Sequence, residues 1–305
     1  MLAASVPSFA MADIKRIGSF YDLNPRFVVA VLRKAAYSKR LYLPDDRATR
    51  KQTAFVVVED VPFDTDHFGK HVMRLSYCYS GRDPSLSMDG LLSKVMSKSR
   101  RMGVDCLYAR VNLEDIATIH ALEKAGFQLM DALQTLKLDL DDSLETRSSK
   151  SVRPFRKSDI PRIAQIARET YTPSRFFRDR HFPEQLARAY YAKWARNCCS
   201  GLAENVLVVQ SRGVVCGFIT VRRITQREHA FYGKGGIIDL VRVHPGYQSR
   251  GFGAQLTKSA IAWFRKSGVR FVLIGTEANN LPALNCYVEQ GFRVQSASAT
   301  FHYWT

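Results

Sequence analysis

From residue 237 onward the apolar and polar positions switch between two periods. Ile237-Ile238-Asp239-Leu240-Val241-Arg242-Val243 is β-branched and dense in apolar residues, which predicts a sheet strand. Its period of two puts Asp239, Val241 and Val243 on one face. His244-Pro245-Gly246-Tyr247 ends the strand with turn chemistry. Ala254 to Phe264 returns to helical spacing, and Phe271 to Thr276 reads as another strand. Beyond it Asn280, Ala283 and Tyr287 lie three and four apart and so share one helix face, which Gly291 closes. Upstream, a helix carries Leu186, Tyr190 and Trp194 at intervals of four, a spacing that predicts a core-facing stripe.

The two halves of the chain repeat. Gly103-Val104 matches Gly268-Val269 and Gly126-Phe127 matches Gly291-Phe292, both at an offset of 165, with Leu75 and Cys78 opposite Leu240 and Val243. A gapless correspondence of this length predicts two copies of one supersecondary unit. The polar segment Asp141–Ser151 reads as a linker, with a first domain over 1–140 and a second over 152–305. The copies differ where chemistry belongs. The second has Gln248-Ser249-Arg250-Gly251-Phe252-Gly253 opening onto a helix, the first Asp83-Pro84-Ser85-Leu86-Ser87-Met88. Glycines let main-chain N–H groups close on a ligand, whereas an acid and a proline repel an anion and remove a donor. Asp115, Thr118 and Leu122 likewise stand where the second copy has Asn280, Ala283 and Tyr287. The first copy reads as structural and the second as active.

Composition narrows the class. The 305 residues are 46% hydrophobic and 24% charged, which suits a folded chain of two domains. No apolar run approaches the ~20 residues of a membrane span. Met1 to Ala12 is apolar and small but lacks the basic start of a secretory signal. Six cysteines without a Cys-x-x-Cys pair, two of them vicinal at Cys198 and Cys199, read as reduced thiols of a cytoplasmic protein with no metal site. The net charge is +17, and it is concentrated after residue 150, where 23 Lys and Arg face 9 Asp and Glu. That points to an anionic partner: nucleic acid, a membrane surface or a phosphorylated small molecule. No RNA- or DNA-binding motif accompanies the charge, so no nucleic-acid partner is expected.

A Gly-rich loop at a helix N-terminus is a phosphate site by virtue of its unpaired N–H groups and dipole, and Arg250 adds a fixed charge. Many strand-to-helix turns carry glycine for packing alone, so the context matters. The loop Gln248-x-x-Gly251-x-Gly253 followed by Asn280-x-x-Ala283-x-x-x-Tyr287 resembles the GNAT superfamily of N-acyltransferases. The resemblance covers Ser151 to Thr305. It implies a mixed α/β sheet, here as two tandem GNAT-like domains of which the first is degenerate and binds no coenzyme. It also implies acetyl-CoA as co-substrate, held by Val241, Val243, Gln248, Ser249, Arg250, Gly251, Phe252, Gly253, Ala254, Asn280 and Ala283. In that superfamily the helix position of Tyr287 brings a phenol to the thiol sulfur, which makes it the general acid. The strand at Val241 pairs with pantetheine, and a main-chain N–H there meets the oxyanion. For the base, Asp239 and Glu277 are the carboxylates in range, with His244 a third candidate and an arginine-paired structural role the alternative for Asp239.

Ser174-Arg175-Phe176, then Tyr191-Ala-Lys-Trp194-Ala-Arg-Asn197, is similar to the dTDP-fucosamine acetyltransferase family of bacterial surface-polysaccharide pathways. Asp60 to Arg74 is similar to an acidic-aromatic stretch in that family's degenerate first domain. The resemblance implies transfer of acetyl to the 4-amino group of a nucleotide-linked deoxyamino sugar. Arg175, Phe176, Arg178, Tyr191 and Trp194 are then candidates for holding the acceptor, guanidinium suiting phosphate. The longer N-terminal part and the basic second half depart from the family. Another small or peptidyl amine, or a non-catalytic pseudo-transferase that binds an anion or nucleic acid, stays open as an alternative, and a homodimer is compatible with either.

Overall fold

A computed structural model describes residues 25–38, 40–43, 55–79, 88–140, 148–170, 173–224 and 234–305. The leader at 1–12, the loop at 83–87 and the linker residues 141–147 lie outside the described residues. Two compact units emerge: one gathers the chain up to Asp131 together with Ser298–Thr305, the other runs from Ala132 to Ala297.

The first unit contains α1 (Pro25–Tyr37), β1 (Leu41–Tyr42), β2 (Phe55–Asp60), α2 (Pro62–Phe68), β3 (Val72–Tyr79), α3 (Met88–Arg101), β4 (Cys106–Asn112) and α4 (Ile116–Lys124). Strand β5 (Gln128–Asp139) carries the chain into the second unit. There follow β6 (Val152–Pro154), α5 (Ile160–Glu169), the single turn α6 (Arg175–Arg178) and α7 (Glu184–Asn197). The unit continues with β7 (Asn205–Ser211), β8 (Val214–Arg223), β9 (Gly235–Val243), α8 (Phe252–Lys266), β10 (Phe271–Glu277) and α9 (Leu281–Glu289), and β11 (Arg293–Trp304) returns to the first.

The repeat read at an offset of 165 is borne out element by element. Displaced by that number, β4, α4 and β5 fall on β10, α9 and β11 with identical bounds. Each copy pairs its strands alike: β2–β3 and β8–β9 antiparallel, β3–β4 and β9–β10 parallel. The final strand of each copy departs from the order of the sequence. The last strand of the first copy, β5, pairs antiparallel with β10 of the second, with Leu138 opposite Val272. The last strand of the second copy, β11, pairs with β4 of the first, with Tyr303 opposite Leu107. These two registers are the same pairing with partners exchanged. Ala299 and Phe301 thereby enter the core of Val56, Leu75, Leu92, Leu107 and Leu122, and Leu136 and Leu138 enter that of Ile219, Leu256, Phe264 and Val272.

The second unit has the sheet order β5-β10-β9-β8-β7-β6. Helix α8 covers one face through Leu256, Ala260 and Phe264. Helices α5 and α7 cover the other through Ile163, Ile166, Tyr191 and Ala195. The stripe expected on α7 is displaced by one residue: Ala187, Tyr191 and Ala195 are buried, while Leu186 is 36% exposed. The small alanines let α7 lie close to α5, and the larger neighbours at 190 and 194 flank that contact. Among the described residues no helix is long and apolar enough to cross a membrane. The six cysteines are free thiols.

The entry to α5 is fixed electrostatically. Arg153 grips Asp159 through Nη1 at 2.7 Å and Nη2 at 3.1 Å, and the Arg156 N–H donates to the same carboxylate at 2.7 Å. The bonds from Arg153 hold its carboxyl below the ordinary carboxylate range, against the opposing effect of burial. A carboxyl depressed in the folded state stabilises above the unfolded pKa, about 4, and that stability is lost as pH falls through the folded value. Asp159→Asn should therefore cost roughly 1.5 kcal/mol at pH 7 and distinctly less at pH 3 in urea melts. Equal losses at both pH values would contradict the assignment.

Candidate active site

Strands β9 and β10 pair in parallel from Gly235–Phe271 to Ile238–Ile274. Both then continue, to Val243 and Glu277, without pairing to each other. The cause is a β-bulge at Asp239. Against β8, Ile238 faces Val221 and Leu240 faces Thr220, which leaves Asp239 as an extra residue and bends the strand. The bulge also corrects the expected side-chain order. Val241 and Val243 pack on the α8 side, whereas Leu240 packs on the α5–α7 side. Asp239 goes with the latter: its carboxylate accepts from Arg222 Nε at 3.1 Å and acts on the Cys198 thiol, pushed up to about 12 mainly by burial. An extra residue shifts the alternation by one, so Asp239 does not share a face with Val241.

Main-chain groups follow from the same geometry. The Leu240 N–H donates to the Thr220 hydroxyl at 3.0 Å, toward β8. Successive N–H groups of a strand alternate, so that of Val241 turns away from β8, into the gap beside β10. The Val243 carbonyl has the same direction and accepts from Gln248 Nε2 at 3.1 Å and from the Thr170 hydroxyl at 3.4 Å.

A cleft of about 500 Å³ opens at this gap. Val241, Arg242 and Val243 line one wall; Gln248, Ser249, Gly251, Phe252, Gly253 and Ala254 line the second; Asn280, Ala283 and Tyr287 line the third. Thus ten of the eleven residues expected to hold the coenzyme converge on one space. Arg250 is not among the lining residues, and its guanidinium sits 5.4 Å over the Tyr247 ring. Ser249 and Gly251 adopt φ of 59° and 76°, and α8 starts after Gly251 with no side-chain cap. Left-handed turns of this kind gather consecutive N–H groups into an anion-binding concavity, here in front of an uncapped helix end. The arrangement fits a diphosphate. On α9, Asn280 leaves the helix end free and donates to the Thr276 hydroxyl at 3.0 Å. In the first copy Asp115 instead caps α4, accepting from the Thr118 N–H at 3.2 Å.

Tyr287 is 6% exposed and lies against Phe292. Burial drives its phenol well above the ordinary value, Glu277 and Cys286 add to this, and Arg242 opposes it. The hydroxyl is therefore protonated throughout the neutral range. Glu277, buried at the end of β10, acts on the phenols of both Tyr287 and Tyr191. His244 is committed elsewhere: Nδ1 accepts from the Gly246 N–H at 3.1 Å and Nε2 lies 3.0 Å from Glu169.

The residues expected to hold an acceptor divide. Tyr191 donates to the Ser174 hydroxyl at 2.8 Å and lies under the Arg242 guanidinium, 5.1 Å from ring centroid to Cζ. Arg175 is buried over the Phe176 ring at 4.2 Å and also acts on Tyr191. Phe176 packs against Phe182 and Tyr190, and Trp194 stacks on Tyr191, so both belong to an aromatic cluster beside the site. Arg178 is exposed, with Nε donating to the Pro173 carbonyl. Sequence reasoning missed Arg242 and Thr170 as lining residues; the one signal for Arg242 is that, with Asp239, it places a charge in a strand of apolar residues.

The chain is similar to known proteins in sequence and in fold. The acetyltransferase (GNAT) family matches residues 160–292. The spore coat polysaccharide biosynthesis protein SpsD of Bacillus subtilis is 25% identical over 66% of this chain and 67% of its own length. The dTDP-fucosamine acetyltransferase of Escherichia coli O6:H1 is 23% identical over 64% of this chain and 79% of its own. Among solved structures, a tandem GNAT protein from the clavulanic acid biosynthesis pathway superposes with a TM-score of 0.57 at 12% identity, covering 99% of this chain and 97% of that one. The second unit is accordingly an acetyltransferase domain of the GNAT family, and the chain an acetyl-CoA-dependent N-acetyltransferase.

Proposed function

We propose that the enzyme acetylates the 4-amino group of a nucleotide-linked deoxyamino sugar, a dTDP sugar in surface-polysaccharide synthesis, and that it works in the cytoplasm. The observation that carries the catalytic part is the parting of β9 from β10 beneath the uncapped start of α8, with the Tyr287 phenol in the same cleft. Two relatives whose names tie them to polysaccharide synthesis and to dTDP-fucosamine support the acceptor. The excess of base after residue 150 suits a diphosphate-bearing acceptor.

The pyrophosphate of acetyl-CoA is held by the N–H groups of the loop from Gln248 to Ala254, with Arg250 contributing long-range attraction. Pantetheine runs along Val241 and Val243, and Asn280 and Ala283 bound its far side. The neutral amine attacks the thioester carbon, and the Val241 N–H meets the oxygen as charge develops on it. Tyr287 gives its proton to the departing sulfur. Glu277 takes the proton that the new amide nitrogen loses; Asp239, bound to Arg222, serves the bulge rather than the reaction. Arg175 and Tyr191 face the acceptor. The first copy, from residue 1 to 140, binds no coenzyme.

Calorimetry with acetyl-CoA tests the coenzyme site, and thiol release with dTDP- and UDP-linked amino sugars tests the acceptor. Gly251→Val should weaken acetyl-CoA by at least about tenfold and lower stability by about 1–2 kcal/mol, because a β-branched residue resists a φ of 76°. Unchanged affinity would remove the loop from the coenzyme site. Acetylation of peptides in preference to every sugar nucleotide would replace the proposed acceptor.

A further inference from the structure

A buried phenol that acts as an acid faces a difficulty of charge. When Tyr287 releases its proton to the coenzyme sulfur, the phenol O–H bond breaks, the S–H bond forms and a negative charge is left on oxygen in a site shielded from water. Burial opposes that charge, and so does Glu277 on β10. Arg242 on β9, which lines the same cleft as Tyr287, is the group whose charge favours it.

The setting of Arg242 is that of a fixed charge. Its Nη1 donates to the Val241 carbonyl at 3.0 Å, and the guanidinium lies over the Tyr191 ring at 5.1 Å. Tyr191 is itself tied to Ser174. The Arg242 Nε is buried with no hydrogen-bond partner among the described residues. No carboxylate ion pair engages this side chain among the described residues, whereas Arg222 on the neighbouring strand β8 is paired with Asp239. Arg242 is half-buried at the cleft wall, yet its Nε is shut off from water unpaired, a cost that a counter-charge in the working state would offset.

We propose that Arg242 is a positioning residue of the acetyl-transfer reaction: clamped between the Val241 carbonyl and the Tyr191 ring, it supplies the counter-charge to the Tyr287 oxygen at the moment its proton leaves. The charge is transient, since the oxygen regains a proton once the amide nitrogen has lost its own. The same clamp holds the carbonyl of Val241, the residue whose own N–H faces the developing oxyanion. This inference rests on the acetyl-transfer reading proposed for the cleft.

Arg242→Gln and Arg242→Lys test it, assayed by thiol release with the amine that the unaltered enzyme acetylates, beside titration with acetyl-CoA. The Gln variant should lose about 30-fold in kcat while the acetyl-CoA affinity changes less than about threefold, and the Lys variant should recover most of the loss. In a Tyr287→Phe background the Gln substitution should cost less than about threefold, because the charge it serves no longer forms. Equal losses in both backgrounds, no rescue by Lys, or a loss confined to coenzyme affinity would overturn the inference while leaving the acetyl-transfer reading in place. If the Gln variant fails to fold, the Lys variant decides: normal coenzyme affinity with kcat within about fivefold of the unaltered enzyme supports the inference, and a larger loss overturns it. An unaltered enzyme that binds no acetyl-CoA would take down both readings.

Discussion

Tyr287→Phe is expected to lower kcat by about 10²–10³-fold while acetyl-CoA binds with unchanged affinity. The substitution removes one oxygen and keeps the ring that packs against Phe292, so the core around it is preserved. The thiolate of coenzyme A is a poor leaving group for an amine adduct unless a proton reaches sulfur as the bond breaks. Tyr287 is suited to deliver it, because burial keeps the phenol protonated throughout the neutral range. Single-turnover thiol release, paired with calorimetry, separates the chemical step from binding. Full activity in the Phe variant would reject the acid, and a parallel loss of coenzyme affinity would assign the ring a packing role.

The second large effect is crosswise. Phe301→Ala, near the far end of the sequence, should destabilise the first unit by about 3–5 kcal/mol. Phe301 is 1% exposed in the core that holds Leu75, Leu92 and Leu107. Leu136→Ala, in the first copy of the repeat, should weaken the second unit by about 2–5 kcal/mol, since Leu136 is buried with Phe264 and Val272. Hydrogen exchange reads the outcome segment by segment. Phe301→Ala should speed exchange in β4 and spare β9, and Leu136→Ala should do the reverse. If each substitution instead loosened the half of the sequence it lies in, the strand exchange would be wrong.

Much of this architecture is legible in the sequence. Hydrophobic period and turn residues locate β9, α8, β10 and α9 within about two residues, and the offset of 165 pairs the elements of the copies. The candidate cleft is legible because its walls are local: a loop, a strand end and one helix face, each with its own pattern. Three things are hidden for physical reasons. The bulge at Asp239 inserts one residue without any change in composition, so a strict period of two misassigns every side chain before it. The burial of Ala187 in place of Leu186 depends on how closely α7 approaches α5, which no helical wheel contains. The exchange of β5 and β11 is invisible because an apolar strand pattern states that a partner exists and not which one. Arg242 escapes notice for a related cause: its role depends on Tyr191 and Tyr287, which lie far away in sequence.

The reciprocal placement of β5 and β11 also sets an order of events during synthesis. The strand that completes the sheet beside β4 emerges from the ribosome only after the whole of residues 132–297, on the order of ten to thirty seconds later. Until then β4 offers an open edge with its apolar face half covered, a state prone to pairing with other nascent chains. The acetyl-transfer half, by contrast, receives β5 before any of its other strands exist. Catalytic competence can thus precede completion of the non-catalytic half, and cutting the gene between the copies would deprive each fragment of a strand that only the other encodes.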